Sequence, residues 1–264
     1  MKIRLDLLLV QRGLRATRSA AQREILAGNV FVNGRLADKP GAPFAPDAHI
    51  ELKAKNPYVS QGGRKLEGAL REFGVDPREK ICLDVGASTG GFTDCLLQHG
   101  ARKIFAVDVG KGQLDWKLRH DPRVVVLEEV NARYLTLEQI GEPVDLVTVD
   151  VSFISLKLVL PALQPIVKPA GEFIVLVKPQ FEAGRAKVKR GGVITDPRVH
   201  LEVLTELVRF LEDERHLCVI NATFSPVKGP AGNIEFFLHM VNSLDSRRPL
   251  KLEQLVVEAH RLRR

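Results

Sequence analysis

With 264 residues, 45% of them hydrophobic and 27% charged, the sequence describes an ordinary soluble protein holding one large domain, or a large one with a small companion. No apolar run approaches membrane-spanning length, and Met1-Lys2-Ile3-Arg4-Leu5-Asp6 lacks a signal peptide's uninterrupted apolar core, so a cytoplasmic protein with no membrane role is expected. The net charge of +7 points to a polyanionic partner, although charge alone allows an anionic membrane surface, while three scattered cysteines (Cys82, Cys95, Cys218) show no metal spacing and read as reduced core residues, with no metal expected.

The positive charge is concentrated at the front. Residues 1–55 hold ten Lys or Arg against five Asp or Glu, a net +5 of the total. Leu5, Leu8 and Leu9 predict a short amphipathic helix ending at Gly13, and Thr17 is an N-cap for a second helix over Arg18–Ala27 that stops at Gly28. Val30-Phe31-Val32 reads as a strand closed by an Asn33-Gly34 turn, with a later strand over His49–Leu52. Arg4, Arg12, Arg15, Arg18 and Arg23 cluster on or beside the helices, which favours RNA binding over a solvated basic face. The segments Leu5–Val10, Thr17–Ala21 and Gly28–Gly34 resemble the small RNA-binding domain named after ribosomal protein S4, and that resemblance implies a substrate class only.

Asn56-Pro57-Tyr58-Val59-Ser60-Gln61-Gly62-Gly63 reads as an interdomain linker, which divides the chain into 1–55, the linker 56–63 and a second domain over 64–264. A helix follows with Leu66, Ala69, Leu70 and Phe73 on one face and Arg64-Lys65 in its first turn. Strands are then expected at 81–85, 103–107, 124–127, 144–149, 171–177 and 217–224, and helices at 91–99, 112–119, 155–165 and 198–214. This alternation implies an α/β, Rossmann-like doubly wound sheet. Val219–Phe224 and Ile234–Met240, joined by a short Pro/Gly loop, predict an antiparallel hairpin at the end of the sheet, and 251–263 a closing helix.

The second domain is organised around its first strand and turn. Ile81, Leu83 and Val85 form a buried strand, and Gly86-Ala87-Ser88-Thr89-Gly90-Gly91 opens a helix through Phe92 and Cys95. A dinucleotide would want Gly-x-Gly-x-x-Gly, but Ser88 occupies the second glycine's place. A triphosphate would want a Lys-Ser/Thr pair, and none is there. S-adenosylmethionine carries an amine, a carboxylate and a sulfonium, which suits an acid beside the turn. Gly86-Ala87-Ser88-Thr89-Gly90 also matches the Gly-x-Ser-x-Gly of serine hydrolases, although that elbow should follow several strands; S-adenosylmethionine is favoured. The expected cofactor-binding set is Asp84, Gly86, Ala87, Ser88, Thr89, Gly90, Gly91, Phe92, Asp108, Asn131 and Asp150, drawn from the turn and the carboxyl ends of the strands. Asp108 is placed to accept from ribose hydroxyls and Asn131 to hold the adenine end.

Asp150 and Lys178 close adjacent apolar strands. The chain lacks Asp/Asn-Pro-Pro-Tyr after Asp150, as amino methylation would need, and a cysteine placed for pyrimidine-carbon methylation; an alcohol acceptor requires neither. Lys65, Asp150, Lys178 and Glu235 resemble the Lys-Asp-Lys-Glu tetrad of FtsJ-type ribose 2′-O-methyltransferases, in the settings Gly62-Gly63-Arg64-Lys65-Leu66, Val149-Asp150-Val151-Ser152-Phe153, Leu176-Val177-Lys178-Pro179-Gln180-Phe181 and Gly232-Asn233-Ile234-Glu235-Phe236. With the front domain, almost the whole chain resembles the TlyA family, known as haemolysins but acting as rRNA 2′-O-methyltransferases. The resemblance implies S-adenosylmethionine as cofactor, ribosomal RNA or subunits as partner, catalysis by the tetrad, and a cytidine of large-subunit rRNA as target, with small-subunit rRNA as a second. Two rivals are a pore-forming haemolysin and a non-catalytic ribosome-binding factor that retains the fold. Arg185, Lys187, Lys189 and Arg190, in the glycine-rich loop Phe181–Gly192, complete the expected RNA-binding set, on a loop expected to order with RNA.

Overall fold

The computed structural model describes residues 2–53, 56–184, 187–188, 191–243 and 249–262. Contacts divide the chain into two compact units, Met1–Asn56 and Pro57–Arg264.

In the first unit β1 (Ile3–Arg4) leads directly into α1 (Leu5–Gln11), and α2 (Arg18–Leu26) follows with Thr17 Oγ1 accepting from Ala20 N at 3.2 Å. β2 (Val30–Val32) turns tightly into β3 (Arg35–Leu36); Asn33 and Gly34 both hold positive φ, 51° and 74°, as a two-residue hairpin requires. β4 (Pro43–Phe44) pairs with β1, and β5 (Ile50–Leu52) pairs with β2 to complete a three-stranded antiparallel sheet, β3-β2-β5. Leu5, Leu9, Ala21, Ile25, Val30 and Val32 fill the core between helices and sheet.

The second unit begins earlier than its composition suggests. Tyr58 is buried, Ser60 Oγ accepts from Gly62 N, and α3 (Gln61–Phe73) starts at Gln61, so 57–63 is not a linker and Arg64-Lys65 lie past the first turn. The Gly62-Gly63 pair reads as a break in sequence but serves close packing. A Cβ on Gly63 would fall 2.2 Å from the Tyr58 ring, and one on Gly62 would meet Gly91 and Phe92 at 3.5 Å.

β6 (Ile81–Val85), α4 (Gly91–Gln98), β7 (Lys103–Val107), α5 (Trp116–Arg119), β8 (Val124–Leu127), α6 (Leu137–Ile140), β9 (Val144–Val149), α7 (Leu156–Leu163), β10 (Val167–Val177), α8 (Pro179–Glu182), α9 (Pro197–Arg209), β11 (Cys218–Phe224), β12 (Phe236–Val241) and α10 (Leu252–Leu262) follow among the described residues. The seven-stranded sheet runs β11-β12-β10-β9-β6-β7-β8. Strands β6 to β10 are parallel wherever they pair, whereas β12, the last strand among the described residues, sits antiparallel between β10 and β11. Strand residues alternate between two cores: Leu83, Val85, Val147, Val149, Val175 and Val177 face α7 and α9, while Cys82, Leu146, Ile174 and Leu176 face α3 and α4. The three cysteines are buried and form no disulfide.

Several expected boundaries move for local reasons. The helix expected at 112–119 is confined to Trp116–Arg119, because Gly112 takes φ +67° and Asp115 caps the helix by accepting from Lys117 N. The 155–165 helix gives way to a tight 3-10 turn at Gln164–Ile166, which contains Pro165, and the 198–214 helix ends in a π turn over Phe210–Glu214. Strand β10 begins at Val167 rather than 171, with a register shift against β9 before Glu172. The final strand starts at Phe236, which leaves Glu235 just outside it. Among the described residues no helix is long and apolar enough to cross a membrane.

Candidate active site

Strand order reverses beside β6, with β7 and β8 on one side and β9 and β10 on the other, so the sheet leaves a crevice at the carboxyl ends of its central strands. A cleft of about 840 Å³ lies there, lined by α3, the Gly86–Thr89 turn, Asp150, Lys178 and Glu235. Register explains the convergence. Val85 pairs with Val149, so Gly86 and Asp150 emerge side by side; a Cβ on Gly86, at φ +84°, would meet the Asp150 carbonyl oxygen at 2.4 Å. Val177 pairs with Phe236 in the antiparallel direction, so the residue that follows β10 (Lys178) lies beside the residue that precedes β12 (Glu235).

The four charged groups form two ion pairs. Lys65 Nζ, reaching in from α3, donates to Glu235 Oε2 at 2.6 Å, and both residues are buried. Lys178 Nζ donates to Ser152 Oγ at 2.8 Å and lies 2.6 Å from Asp150 Oδ1. Burial pushes the Glu235 carboxyl up, opposed by the Lys65 ammonium. Lys178 is the partner of Asp150 Oδ1, while two other buried oxygens of cleft residues, Gln180 Oε1 and Glu235 Oε1, make no hydrogen bond among the described residues. Both are acceptors left open on the cleft wall.

The glycine turn is braced from outside the cleft. Asp108 Oδ2 accepts from Ser88 N at 2.8 Å and Oδ1 from Gly110 N at 2.7 Å, tying the turn, with Ser88 at φ +49°, to the loop after β7. Asp84, expected beside the ligand, is corrected by its burial. It is fully enclosed, Oδ2 accepts from Thr93 Oγ1 at 2.7 Å and Oδ1 from Thr148 Oγ1 at 3.1 Å, and it locks β6 to α4 and β9 rather than facing the cleft. Burial raises its carboxyl to about 7. Asn131 has an exposed side chain whose Oδ1 accepts from Arg133 N at 3.1 Å, capping a 3-10 turn. Ala87, Ser88, Thr89, Gly91 and Phe92 do line the cleft, whereas Gly90 packs against Leu118 and Leu114.

An FtsJ-like methyltransferase model matches residues 58–242, and an S4 domain model matches residues 3–50. The 16S/23S rRNA (cytidine-2′-O)-methyltransferase TlyA of Mycobacterium tuberculosis is 44% identical over 263 residues, covering 98% of this chain and 97% of its own. The chain belongs to the TlyA family of FtsJ-like methyltransferases. Hemolysin A of Brachyspira hyodysenteriae is 43% identical over 243 residues, with 90% of this chain and 100% of its own covered. A candidate hemolysin from Streptococcus thermophilus superposes with a TM-score of 0.77 at 42% identity, covering 98% of this chain and 96% of that one.

In this TlyA-family chain most of the expected RNA-binding arginines are engaged within their own unit. Arg4 and Arg18 both bond the buried Asp6 carboxylate; Arg12 donates to the carbonyls of Ala48 and Pro46; Arg15 pairs with Glu24 at 3.1 Å. Arg23 is exposed in the last turn of α2. Lys187 pairs with Glu202, and Arg185, Lys189 and Arg190 lie outside the described residues.

Sequence reasoning missed three cleft groups. Ser152 is a second partner for Lys178. Gln180 supplies one of the partnerless oxygens. Phe153, 91% exposed at φ +64°, has its ring 5.1 Å from that of Phe181. The available signal was their position just after two charged strand ends, but Val151-Ser152-Phe153-Ile154 reads equally well as ordinary apolar packing.

Proposed function

We propose that this chain transfers a methyl group from S-adenosylmethionine to a ribose 2′-hydroxyl of ribosomal RNA, acting on ribosomal subunits in the cytoplasm. The observation that carries the reading is the pair of ion pairs, Lys65–Glu235 and Lys178–Asp150, lining one cleft beside a glycine turn.

The residues present fit the cofactor. A sulfonium and an amine would bring positive charge and N–H donors to a wall where Gln180 Oε1 and Glu235 Oε1 lack hydrogen-bond partners. Gly86 lets the turn lie against β9, and Asp108 holds Ser88 in the αL region that the turn needs. When bound, S-adenosylmethionine supplies a methyl group on a positively charged sulfur, electrophilic enough to need alignment more than activation. Alignment falls to the tetrad. An ammonium has three N–H donors, and Lys178 directs them at Ser152, at Asp150 and at the cleft. Lys178 would therefore orient the 2′-oxygen with a lone pair along the transfer line; the C–O bond would form as the methyl–sulfur bond breaks, the bonding pair staying on sulfur and the hydroxyl proton passing to water. Lys65 and Glu235 fix the neighbouring wall. The name of the Mycobacterium tuberculosis relative supports cytidine in large- and small-subunit rRNA as the target.

The test is transfer of labelled methyl from S-adenosylmethionine to purified bacterial ribosomal subunits, followed by alkaline hydrolysis. Ribose 2′-O-methylation blocks cleavage of the adjacent phosphodiester, so label must appear in alkali-resistant dinucleotides. Label in mononucleotides would place the methyl on a base and overturn the ribose assignment.

A further inference from the structure

The first unit contains a side-chain arrangement that the methyl-transfer chemistry does not use. Asp6, in the first turn of α1, is completely buried, and its carboxylate accepts five hydrogen bonds. Oδ1 accepts from Arg4 Nε at 3.1 Å and from Leu7 N at 3.0 Å. Oδ2 accepts from Arg4 Nη2 at 3.0 Å, Arg18 Nε at 2.9 Å and Gln22 Nε2 at 2.9 Å. The backbone beneath is fixed as well, since Asp6 N donates to Pro40 O at 3.0 Å. With its two arginines charged, the carboxylate is held well below the usual carboxylate range, the Arg4 hydrogen bond being the largest cause.

We infer that Asp6 is a positioning residue, a buried anchor that sets the Arg4 and Arg18 guanidiniums side by side as one grip for a nucleic-acid phosphate. Three observations carry this. The two arginine side chains are 47% and 53% exposed although their anchor is not exposed at all, so the cluster shows solvent only its cationic side. Arg4 spends two of its N–H groups on Asp6 and Arg18 one, and neither has another side-chain partner among the described residues. The remaining N–H groups of both forks are unspent. One carboxylate and two guanidiniums leave a net charge of +1, which matches a single phosphodiester. Glycine at position 41 keeps the approach clear, because a Cβ there would lie 3.2 Å from Arg4 Nη1.

Arginine loses rotamer freedom when it binds a phosphate, and a carboxylate that has already fixed the fork removes part of that cost. The geometry is needed because a planar fork bonds an anion through two parallel N–H groups only in the right plane. Gln22 contributes by bonding Oδ2 from α2, joining the helix that carries Arg18 to the anchor. The inference rests on RNA being the partner in the proposed function, and its test is kept separate from methyl transfer.

The sign of one substitution decides between anchoring and simple charge balance. Removing a negative charge from a basic surface strengthens non-specific binding of a polyanion. Anchoring requires the opposite. The measurement is the affinity of the full chain for ribosomal RNA purified from bacterial ribosomes, read by filter binding at two salt concentrations. Asp6→Asn is expected to weaken binding about tenfold, the equivalent of one charge-assisted hydrogen bond. In an Arg4→Gln/Arg18→Gln background the same Asp6→Asn change is expected to alter affinity by less than about twofold, since the groups it positions are gone. A merely structural Asp6 would keep its full effect there, and that result overturns the inference, as does an Asp6→Asn chain that binds as tightly as the parent or tighter. Should Asp6→Asn unfold the unit by circular dichroism, Arg4→Lys/Arg18→Lys decides alone. It conserves charge and lacks the forks, so about tenfold weaker binding supports the grip and unchanged binding removes it. A parent chain that binds no RNA would instead sink the proposed function.

Discussion

Lys65 and Glu235, 170 residues apart in sequence, meet at 2.6 Å with side chains only 9% and 1% exposed. A buried pair of this kind gains little over an apolar pair of similar volume, but a lone survivor is costly because its charge stays buried. Glu235→Leu should therefore cost about 3–5 kcal/mol of stability, and Lys65→Met/Glu235→Leu should recover most of it. Urea unfolding of the three proteins checks this. Full recovery of stability without recovery of methyl transfer would separate the pair's chemical role from its structural one; equal stability of all three would show that the pair carries no buried charge.

Lys178→Ala removes the group that addresses the cleft from beside Asp150 while leaving the sheet intact, because Lys178 follows β10 rather than belonging to it. Methyl transfer should fall at least about a hundredfold in single turnover, with thermal stability within about 1 kcal/mol of the parent. Lys178→Arg should retain measurable transfer if the role is orientation, since guanidinium cannot accept a proton. A Lys178→Ala chain at near-normal rate would take Lys178 out of the mechanism.

Asp108→Ala leaves Ser88 N and Gly110 N without their acceptor and frees the glycine turn. S-adenosylmethionine affinity should drop by about tenfold or more, from the loss of charge-assisted bonds worth about 1.5–3 kcal/mol each. Calorimetric titration measures it, and unchanged affinity would show that the turn holds its shape without this brace.

Asp84 sets a pH dependence. Its carboxyl is raised to about 7 in the folded chain, chiefly by burial, against an ordinary value near 4 when unfolded. The folded state thus binds a proton that the unfolded state has released, and the stability from this site is present below about pH 4 and lost as pH rises through about 7. Asp84→Asn, which stays neutral, should be more stable than the parent at pH 8, with the advantage shrinking towards pH 5. Chemical unfolding at the two pH values checks the sign. A pH-independent difference would mean that the Thr93 and Thr148 hydroxyls fully compensate the buried charge.

The sequence by itself determined the elements whose cause is local. The strand at 81–85 and the glycine turn after it follow from a short apolar run and from backbone that glycine adopts most comfortably. The Thr17 cap and the Asn33-Gly34 hairpin follow from side-chain and φ chemistry within a few residues. The tetrad was legible too, but through the family resemblance. What the tertiary structure alone decided is which of these residues share a cleft. Asp84 and Asp150 both stand at strand ends, yet one is sealed between Thr93 and Thr148 while the other faces Lys178. Asn131 became a turn cap and Asp108 a brace. Gly62-Gly63, which reads as a flexible break, is a packing contact with Tyr58 and α4. Glu235 reached Lys178 only because β12 enters the sheet antiparallel beside β10, pairing Phe236 with Val177. Local chemistry is written in neighbouring residues, whereas burial and strand register depend on partners far along the chain, and no stretch of sequence carries both halves of such a contact.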